Sequence, residues 1–419
     1  MSASDAAVMA DGYAPAFPRD RLLRLALKLA SMIRVGTLTV VMPDGGRHTV
    51  SAGPCHSGHN PSGTVVLKDR RTVRKLITSG NIGLAEAYVE GWWESPDLAG
   101  VMEVASANEA EFLKLLEGQT MMRVMANVYH WLRPNTRKGA RRNIIEHYDL
   151  GNEFYSAWLD PSMTYSSALF AHHNENLEAA QHRKIHRLCE MLRLEPGMRL
   201  LEIGCGWGAF AEIAARDYGC DVVGVTLSPS QLEFAQARIA SAGLSDRVDL
   251  RLQDYRDVTG TFDRIASVEM FEAVGLAYWP TFFATVRERL RPGGLAGLQT
   301  ITILDRLFDD YRRKADFIQR HIFPGGMLPS PQKLREQVAR AGLSWQHDHW
   351  FGRDYAETLR RWQHSFQAAW PRIKNGTKLS TRPCDDRFKR LWEYYLTYCE
   401  SGFEAGWTDV GQILLARDS

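Results

Sequence analysis

Between residues 196 and 303 the chain alternates short apolar runs with amphipathic stretches of helical length. Residues 196–210 (PGMRLLEIGCGWGAF) read as a turn, an apolar strand, a glycine-rich turn and the start of a helix. Residues 220–228 (CDVVGVTLS) predict a second strand, and 231–243 (QLEFAQARIASAG) the helix after it. Further strands are predicted over 248–255, 263–270 and 293–303. Strands separated by helices at this spacing indicate parallel β-α-β units. The expected fold class is therefore α/β, a Rossmann-like doubly wound sheet whose ligand lies at the C-terminal strand ends.

The N-terminal pattern differs. Residues 18–34 predict a helix with Leu22, Leu25, Leu29 and Ile33 on one stripe and Arg21, Arg24 and Lys28 along another side. Such a helix either covers a domain core or lies on a membrane surface. Strand-like runs at 37–42 and 64–69 flank a Gly/Ser/His-rich loop, and helical segments follow around 70–77 and 83–93. No catalytic spacing is evident before about residue 120. Residues 131–142 (WLRPNTRKGARR) gather Arg133, Arg137, Lys138, Arg141 and Arg142 among Pro, Asn and Gly, which reads as an exposed basic linker, either a plain solvated loop or a site for phosphate headgroups. The organisation expected is a smaller α+β domain over 1–120, a linker over 121–143 and a catalytic domain over 144–419.

Composition narrows the partners. A length of 419 residues suits two or three domains. With 45% hydrophobic and 24% charged residues the chain has ordinary globular composition, and a net charge of +2 supplies no global field toward nucleic acid. Cys55, Cys189, Cys205, Cys220, Cys384 and Cys399 form no C-x-x-C pair, which argues against a disulfide framework or zinc site and suits a reducing cytoplasm. The first residues lack the basic and apolar regions of a signal peptide, and no run approaches the length of a transmembrane helix. A lipid substrate would be met from the water side.

The chemistry concentrates at residues 200–208, LLEIGCGWG. Glycines let the backbone leave a strand sharply and approach a ligand, and the helix after them offers free N–H groups. Gly204, Gly206 and Ala209 also satisfy the dinucleotide pattern G-x-G-x-x-A. Glu202 favours another ligand, because a strand carboxylate two residues before the first glycine can hold a cationic amino group such as that of S-adenosylmethionine. Gly204, Gly206 and Gly208 give the tighter E-x-G-x-G-x-G arrangement of methyltransferases, with Cys205 inside it. The second strand ends in Val225, Thr226, Leu227 and Ser228, without the acid a dinucleotide ribose asks for, although its hydroxyls can bind a ribose. Asp254 and Tyr255 end the third strand, where an acid and a ring can grip adenine. These features favour a class I methyltransferase domain.

Ordered blocks then make the pattern specific. They are GLAEAYVEGWWESPDL, HYDLGNEFYSAWLDPSMTYSSALF at 147–170, LEIGCGWG, VTLSPSQ, VEMFEAVG, LQTITI, FIQRHIFPGGMLPS and CESGFEAGWTDVGQ. In these the chain resembles the cyclopropane-fatty-acyl-phospholipid synthase family from about Gly80 to its C-terminus. The resemblance implies transfer of a methylene from S-adenosylmethionine to the cis double bond of unsaturated phospholipid acyl chains. It places Tyr165, Ser166 and Gln231 with the glycine turn, Thr226, Leu227, Ser228, Asp254 and Tyr255 at the cofactor. It implies a bicarbonate ion as base, held at positions matching Ser167, Glu272, Gln299, Ile301 and Tyr355. It further implies peripheral association with the inner face of the membrane, and a homodimer.

Three positions depart from the family pattern: Ser167 stands for the common Cys, Gln299 for His and Ala273 for His. Ser and Gln can donate hydrogen bonds to an anion, but Gln cannot shuttle a proton as His can. Cys399 aligns with a cysteine once regarded as catalytic, yet the reaction needs no thiolate nucleophile. The protein's task would be to align the alkene with the sulfonium methyl and exclude water from the resulting cation. Phe170, Phe271, Tyr278, Trp279, Phe317, Phe323, Trp350 and Tyr355 are candidates for an aromatic tunnel, although each taken singly reads as core packing. After methyl transfer a proton must leave. Ring closure is the expected outcome, a methylene or methyl-branched chain the alternative, and a small-amine N-methyltransferase or an inactive lipid-binding protein the readings from other classes.

Overall fold

The computed structural model describes residues 20–54, 59–109, 111, 150–376 and 383–418. The chain divides into two compact units between residues 118 and 119. The predicted basic linker, 121–143, lies outside the described residues.

In the first unit, helix α1 (Arg21–Ala30) starts at Asp20, whose carboxylate accepts the Leu22 N–H at 2.8 Å. Arg21, Arg24 and Lys28 are exposed, while Leu22, Leu25 and Leu29 are half-buried and Ile33 is buried. Strands β1 (Thr37–Val41), β2 (Arg47–Ser51), β3 (Ser62–Leu67) and β4 (Trp93–Glu94) form one sheet in the order β2-β1-β3-β4. β2 occupies part of the stretch expected as loop. Its short exposed-and-half-buried alternation, RHTVS, suits an edge strand but carries little apolar signal. The two predicted helical segments fuse into α2 (Arg71–Val89), kinked where Gly80 adopts φ 56°. Helix α3 (Leu98–Ala107) lies so close to β3 that a Cβ on Gly63 would stand 2.7 Å from the Val101 Cα.

The second unit holds a seven-stranded sheet. Its strands are β5 (Arg199–Ile203), β6 (Asp221–Thr226), β7 (Val248–Leu252), β8 (Phe262–Val268), β9 (Leu290–Ile303), β10 (Ser344–Trp350) and β11 (Thr408–Ala416). The order is β10-β11-β9-β8-β5-β6-β7. The five predicted strands are mutually parallel, whereas β10 and β11 are antiparallel additions. Neither addition is expected from the pattern: β10 is polar (SWQHDHW), and β11 (TDVGQILLA) opens on polar residues and a glycine before its apolar half.

Successive residues of the central strand face opposite sides. Leu200 joins a core with Leu188, Ile213, Val222 and Ile239, while Leu201 joins one with Ile265, Phe282, Val286 and Leu298. Burial on both faces explains why β5 reads as a continuous apolar run. The chain leaves β5 toward β6 on one side and returns to β8 on the other, so a crevice opens at the C-terminal end of β5. Helices α4 (Asn152–Ser156) and α5 (Leu177–Met191) precede the sheet, and α6 (Ala209–Tyr218) and α7 (Pro229–Ser241) connect its first strands. Downstream lie α8 (Trp279–Arg289), α9 (Asp305–Tyr311), α10 (Phe317–His321), α11 (Pro331–Arg340), α12 (Gly352–Gly376) and α13 (Asp386–Glu404).

Candidate active site

The crevice is a cavity whose wall combines the glycine turn after β5, Thr226 and Leu227 at the end of β6, Asp254 and Tyr255 after β7, and Glu269 and Met270 after β8. Gly204 and Gly208 have φ of 89° and 86°, values that side-chain-bearing residues rarely adopt. A Cβ on Gly204 would come within 2.7 Å of the Met270 Cγ, and one on Gly208 within 3.0 Å of the Ala235 Cβ. The first glycine thus lets the turn pass beside the loop after β8, and the third lets α6 start against α7.

Glu202 is 3% exposed, and its Oε2 has no hydrogen-bond partner. Burial pushes its carboxyl up to about 8, against the pull of the Ala211 N–H. A carboxylate left short of partners in a cavity wall asks for a cation. The donor set therefore fits the amino group of S-adenosylmethionine, which Glu202 would hold, with the turn at Gly204 and Gly206 lying against it. Thr226 donates from its hydroxyl to the Gln231 Oε1 at 3.0 Å, leaving both side chains in the cavity wall.

Other predicted cofactor positions serve the fold as well. Ser228 caps α7, its Oγ accepting the Gln231 N–H at 3.3 Å, and it does not line the cavity. Asp254 is clamped by Arg256 (Nε to Oδ1 2.8 Å, Nη2 to Oδ2 2.6 Å). Tyr255 packs its ring on Phe282 with centroids 5.5 Å apart. Tyr165 shares a 2.8 Å hydroxyl bond with Tyr395. Ser166 accepts at 2.6 Å from Lys184, a fully buried lysine in the cavity wall that the sequence reading overlooked. Desolvation pulls Lys184 down to about 8, while Glu269 and Asp160 favour its charged form.

The predicted base-holding residues converge, but not on an empty space. Ser167 donates its backbone N–H to the Glu269 Oε1 at 2.8 Å, and Gln299 donates from Nε2 to the same oxygen at 2.8 Å. Tyr355 donates its hydroxyl to the Glu269 Oε2 at 2.7 Å. Gln299 is itself oriented by Gln412 of β11, whose Nε2 reaches the Gln299 Oε1 at 3.1 Å. Glu272 sits beside this group: its Oε1 accepts the Ile301 N–H at 2.5 Å and the Thr300 hydroxyl at 3.0 Å. Burial and the neighbouring Glu269 push Glu272 up to about 8, which favours its protonated form at neutral pH. Burial raises Glu269 too, but Lys184, Tyr355, Gln299 and the Ser167 N–H oppose that rise. The three donors and Lys184 thus favour the charged form of Glu269, whereas Glu269 itself disfavours that of Glu272.

Glu269 was not among the predicted site residues. It stands immediately after β8 at φ 47°, one of three non-glycine residues with positive φ among the described residues. That conformation costs on the order of 1–2 kcal/mol for an L-residue. A bicarbonate ion does not fit as the residues stand, because the Ser167, Gln299 and Tyr355 donors expected to hold it are engaged by the Glu269 carboxylate.

The aromatic candidates divide. Phe271 and Trp279, each 1% exposed, pack with Phe282 and Phe283 in the core under the sheet. Phe317 packs edge-on against Tyr394, Phe170 lies under the Arg361 guanidinium, and Trp350 donates to Asp348. Tyr278 lies near the Arg256 guanidinium and Phe323 near the Tyr395 ring. Tyr355 alone of these candidates donates to Glu269. Burial holds the Cys399 thiol far above its usual range, so it is no thiolate.

Comparison with known proteins identifies the family. Residues 135–413 match the family model described as mycolic acid cyclopropane synthetase. The chain is 38% identical over 364 residues to tuberculostearic acid methyltransferase UfaA1 of Mycobacterium tuberculosis, covering 82% of this chain and 81% of that protein. It is 37% identical over 374 residues to the cyclopropane-fatty-acyl-phospholipid synthase of Escherichia coli, covering 87% and 91%. Among solved structures, mycolic acid cyclopropane synthase CmaA1 complexed with SAH and CTAB superposes with a TM-score of 0.61 at 32% identity, covering 66% of this chain and 98% of that one. Cyclopropane synthase MmaA2 from Mycobacterium tuberculosis gives a TM-score of 0.60 at 33% identity, with the same coverage of 66% and 98%.

Proposed function

The chain belongs to the mycolic acid cyclopropane synthetase family, and on that premise we propose that it converts the cis double bond of unsaturated phospholipid acyl chains into a cyclopropane ring. It is an S-adenosylmethionine-dependent methyltransferase. The observation that carries the proposal is the meeting of two chemistries in one cavity wall: Glu202, short of a cationic partner, and the half-buried Glu269, whose carboxylate can take a proton. S-adenosylmethionine supplies an electrophilic methyl group when bound. Glu202 and the glycine turn would orient it, and the Glu269 pocket would receive the proton that the alkylated chain must lose.

The phospholipid part of the reading is supported by similarity to the E. coli enzyme along most of both chains. Among the described residues no helix is long and apolar enough to cross a membrane. Contact with the inner membrane surface would be peripheral, through the exposed Arg21, Arg24 and Lys28 of α1 and the basic residues 133–142. Family resemblance also supports a homodimer. A second reading, methyl transfer without ring closure, is favoured by the 38% identity to a protein named as a methyltransferase.

Expression in a bacterium lacking its own cyclopropane synthase, followed by mass spectrometry of the fatty-acid esters, tests both. A gain of one methylene is expected, with fragmentation separating ring from branch. Unchanged acyl chains in cells that make folded, cofactor-binding protein would sink the lipid assignment.

A further inference from the structure

We propose that Glu269 is the catalytic base of this reaction, taking in covalent form the place that family resemblance assigns to a bicarbonate ion. The inference rests on the acyl-chain reading above and deepens it. A carboxylate and a bicarbonate ion present the same planar, singly charged O–C–O fork to hydrogen-bond donors. Here that fork belongs to Glu269, and three predicted ion-holding residues, Ser167, Gln299 and Tyr355, donate to it. Of the roughly four acceptor positions on a carboxylate, three are used, which leaves one on Oε2 for a proton. Glu269 lines the same cavity as Glu202 and Gly204, whereas Glu272 does not. Lys184, fully buried in that wall, balances the charge.

The backbone supports the assignment independently. A glutamate is held at φ 47°, where glycine would be unstrained, and three donors fix its carboxylate. Strain of this kind persists where the surroundings over-determine it, and it clusters at functional sites.

The step balances without an external co-reactant. The alkene π pair forms a bond to the donor methyl carbon as the C–S bond pair returns to sulfur, leaving a carbocation on the adjacent chain carbon. A C–H bond of the new methyl group then breaks. Its electron pair closes the ring onto the cationic carbon, and the proton passes to the Glu269 Oε2, giving a neutral carboxyl. Release of that proton to water restores the carboxylate.

Turnover of full-length wild type, E269Q and E269G on unsaturated phospholipid vesicles, in CO2-free buffer with and without added bicarbonate, tests the assignment. Wild-type turnover should be unchanged by bicarbonate, within about twofold. E269Q should lose roughly 100-fold or more in either buffer, the usual contribution of a general base. E269G, which relieves the backbone and opens the pocket, should lose as much in CO2-free buffer and regain at least about tenfold with bicarbonate. Cofactor affinity by calorimetry should be unchanged in both variants. Wild type stimulated tenfold by bicarbonate, E269Q retaining turnover, or E269G without rescue would each overturn the proposal. Line broadening of 13C-bicarbonate supplies a readout independent of turnover: E269G should bind the ion and wild type should not. Wild type that binds cofactor yet alkylates no lipid would refute the acyl-chain reading instead, and the binding comparison would still judge the Glu269 pocket.

Discussion

The two halves of the cavity are built in contrasting ways. At the methyl-donor end, one stretch of nine residues carries the strand carboxylate Glu202 and the glycines that open the turn. At the proton-accepting end, Glu269 after β8 meets Ser167 from a loop before the sheet, Gln299 in β9 and Tyr355 in α12. The donor end is a local motif whose parts are neighbours along the chain. The base pocket is a tertiary assembly in which residues separated by 102, 30 and 86 positions meet at one carboxylate. A local motif governs binding of a ligand with known chemistry. A distributed pocket can change its contents through substitutions scattered over several segments, as Ser167 and Gln299 depart from the family pattern around Glu269.

The contrast makes the two ends separable in kinetics. The largest effect belongs to the base pocket, where Glu269→Gln should lower kcat about 100-fold or more with cofactor affinity intact. Next, Glu202→Gln should weaken S-adenosylmethionine roughly 10- to 100-fold by removing a charge-assisted hydrogen bond, with a smaller effect on kcat at saturating cofactor. Calorimetric titration reads this directly, and unchanged affinity would mean that the amino group is held elsewhere. Glu272→Gln should cost less than about tenfold in kcat, because the amide keeps the carbonyl acceptor for the Ile301 N–H and Thr300 hydroxyl and copies a side chain already neutral. A larger loss than that of Glu269→Gln would exchange the roles of the two carboxylates.

Acid–base linkage offers a check without turnover. Glu202 and Glu272 are each raised to about 8 in the folded chain, so folding is favoured while both are protonated. The stability they support is complete below the ordinary carboxylate range and is lost as pH rises toward about 8. Thermal melting of the cofactor-free protein should therefore fall between pH 5 and 8. Glu202→Gln should flatten that slope, and a slope left unaltered would remove Glu202 as a cause. The smallest effect is expected for Cys399→Ser: the half-buried thiol is held well above its usual range, and kcat should stay within about twofold.

Much of the parallel sheet was legible because strands buried on both faces must be apolar throughout, and the glycine turn advertises its conformation by composition. β10 escaped because its residues are largely polar, and β2 because a short edge strand needs little apolar surface. Phe271 and Trp279 had the composition of a tunnel wall but the location of a core, a distinction that depends on which face of the sheet their segment covers. Glu269 lies within VEMFEAVG, one of the blocks that carry the resemblance, but a glutamate just beyond a strand ordinarily reads as a solvated charge.

By itself, the sequence determined the α/β class, the methyl-donor end and the family, since each is expressed by residues close together or by many ordered blocks. Only the tertiary structure decided which carboxylate gathers the donors and what occupies the base pocket. Those properties follow from desolvation and from donors converging out of distant segments, and neither leaves a pattern along the chain.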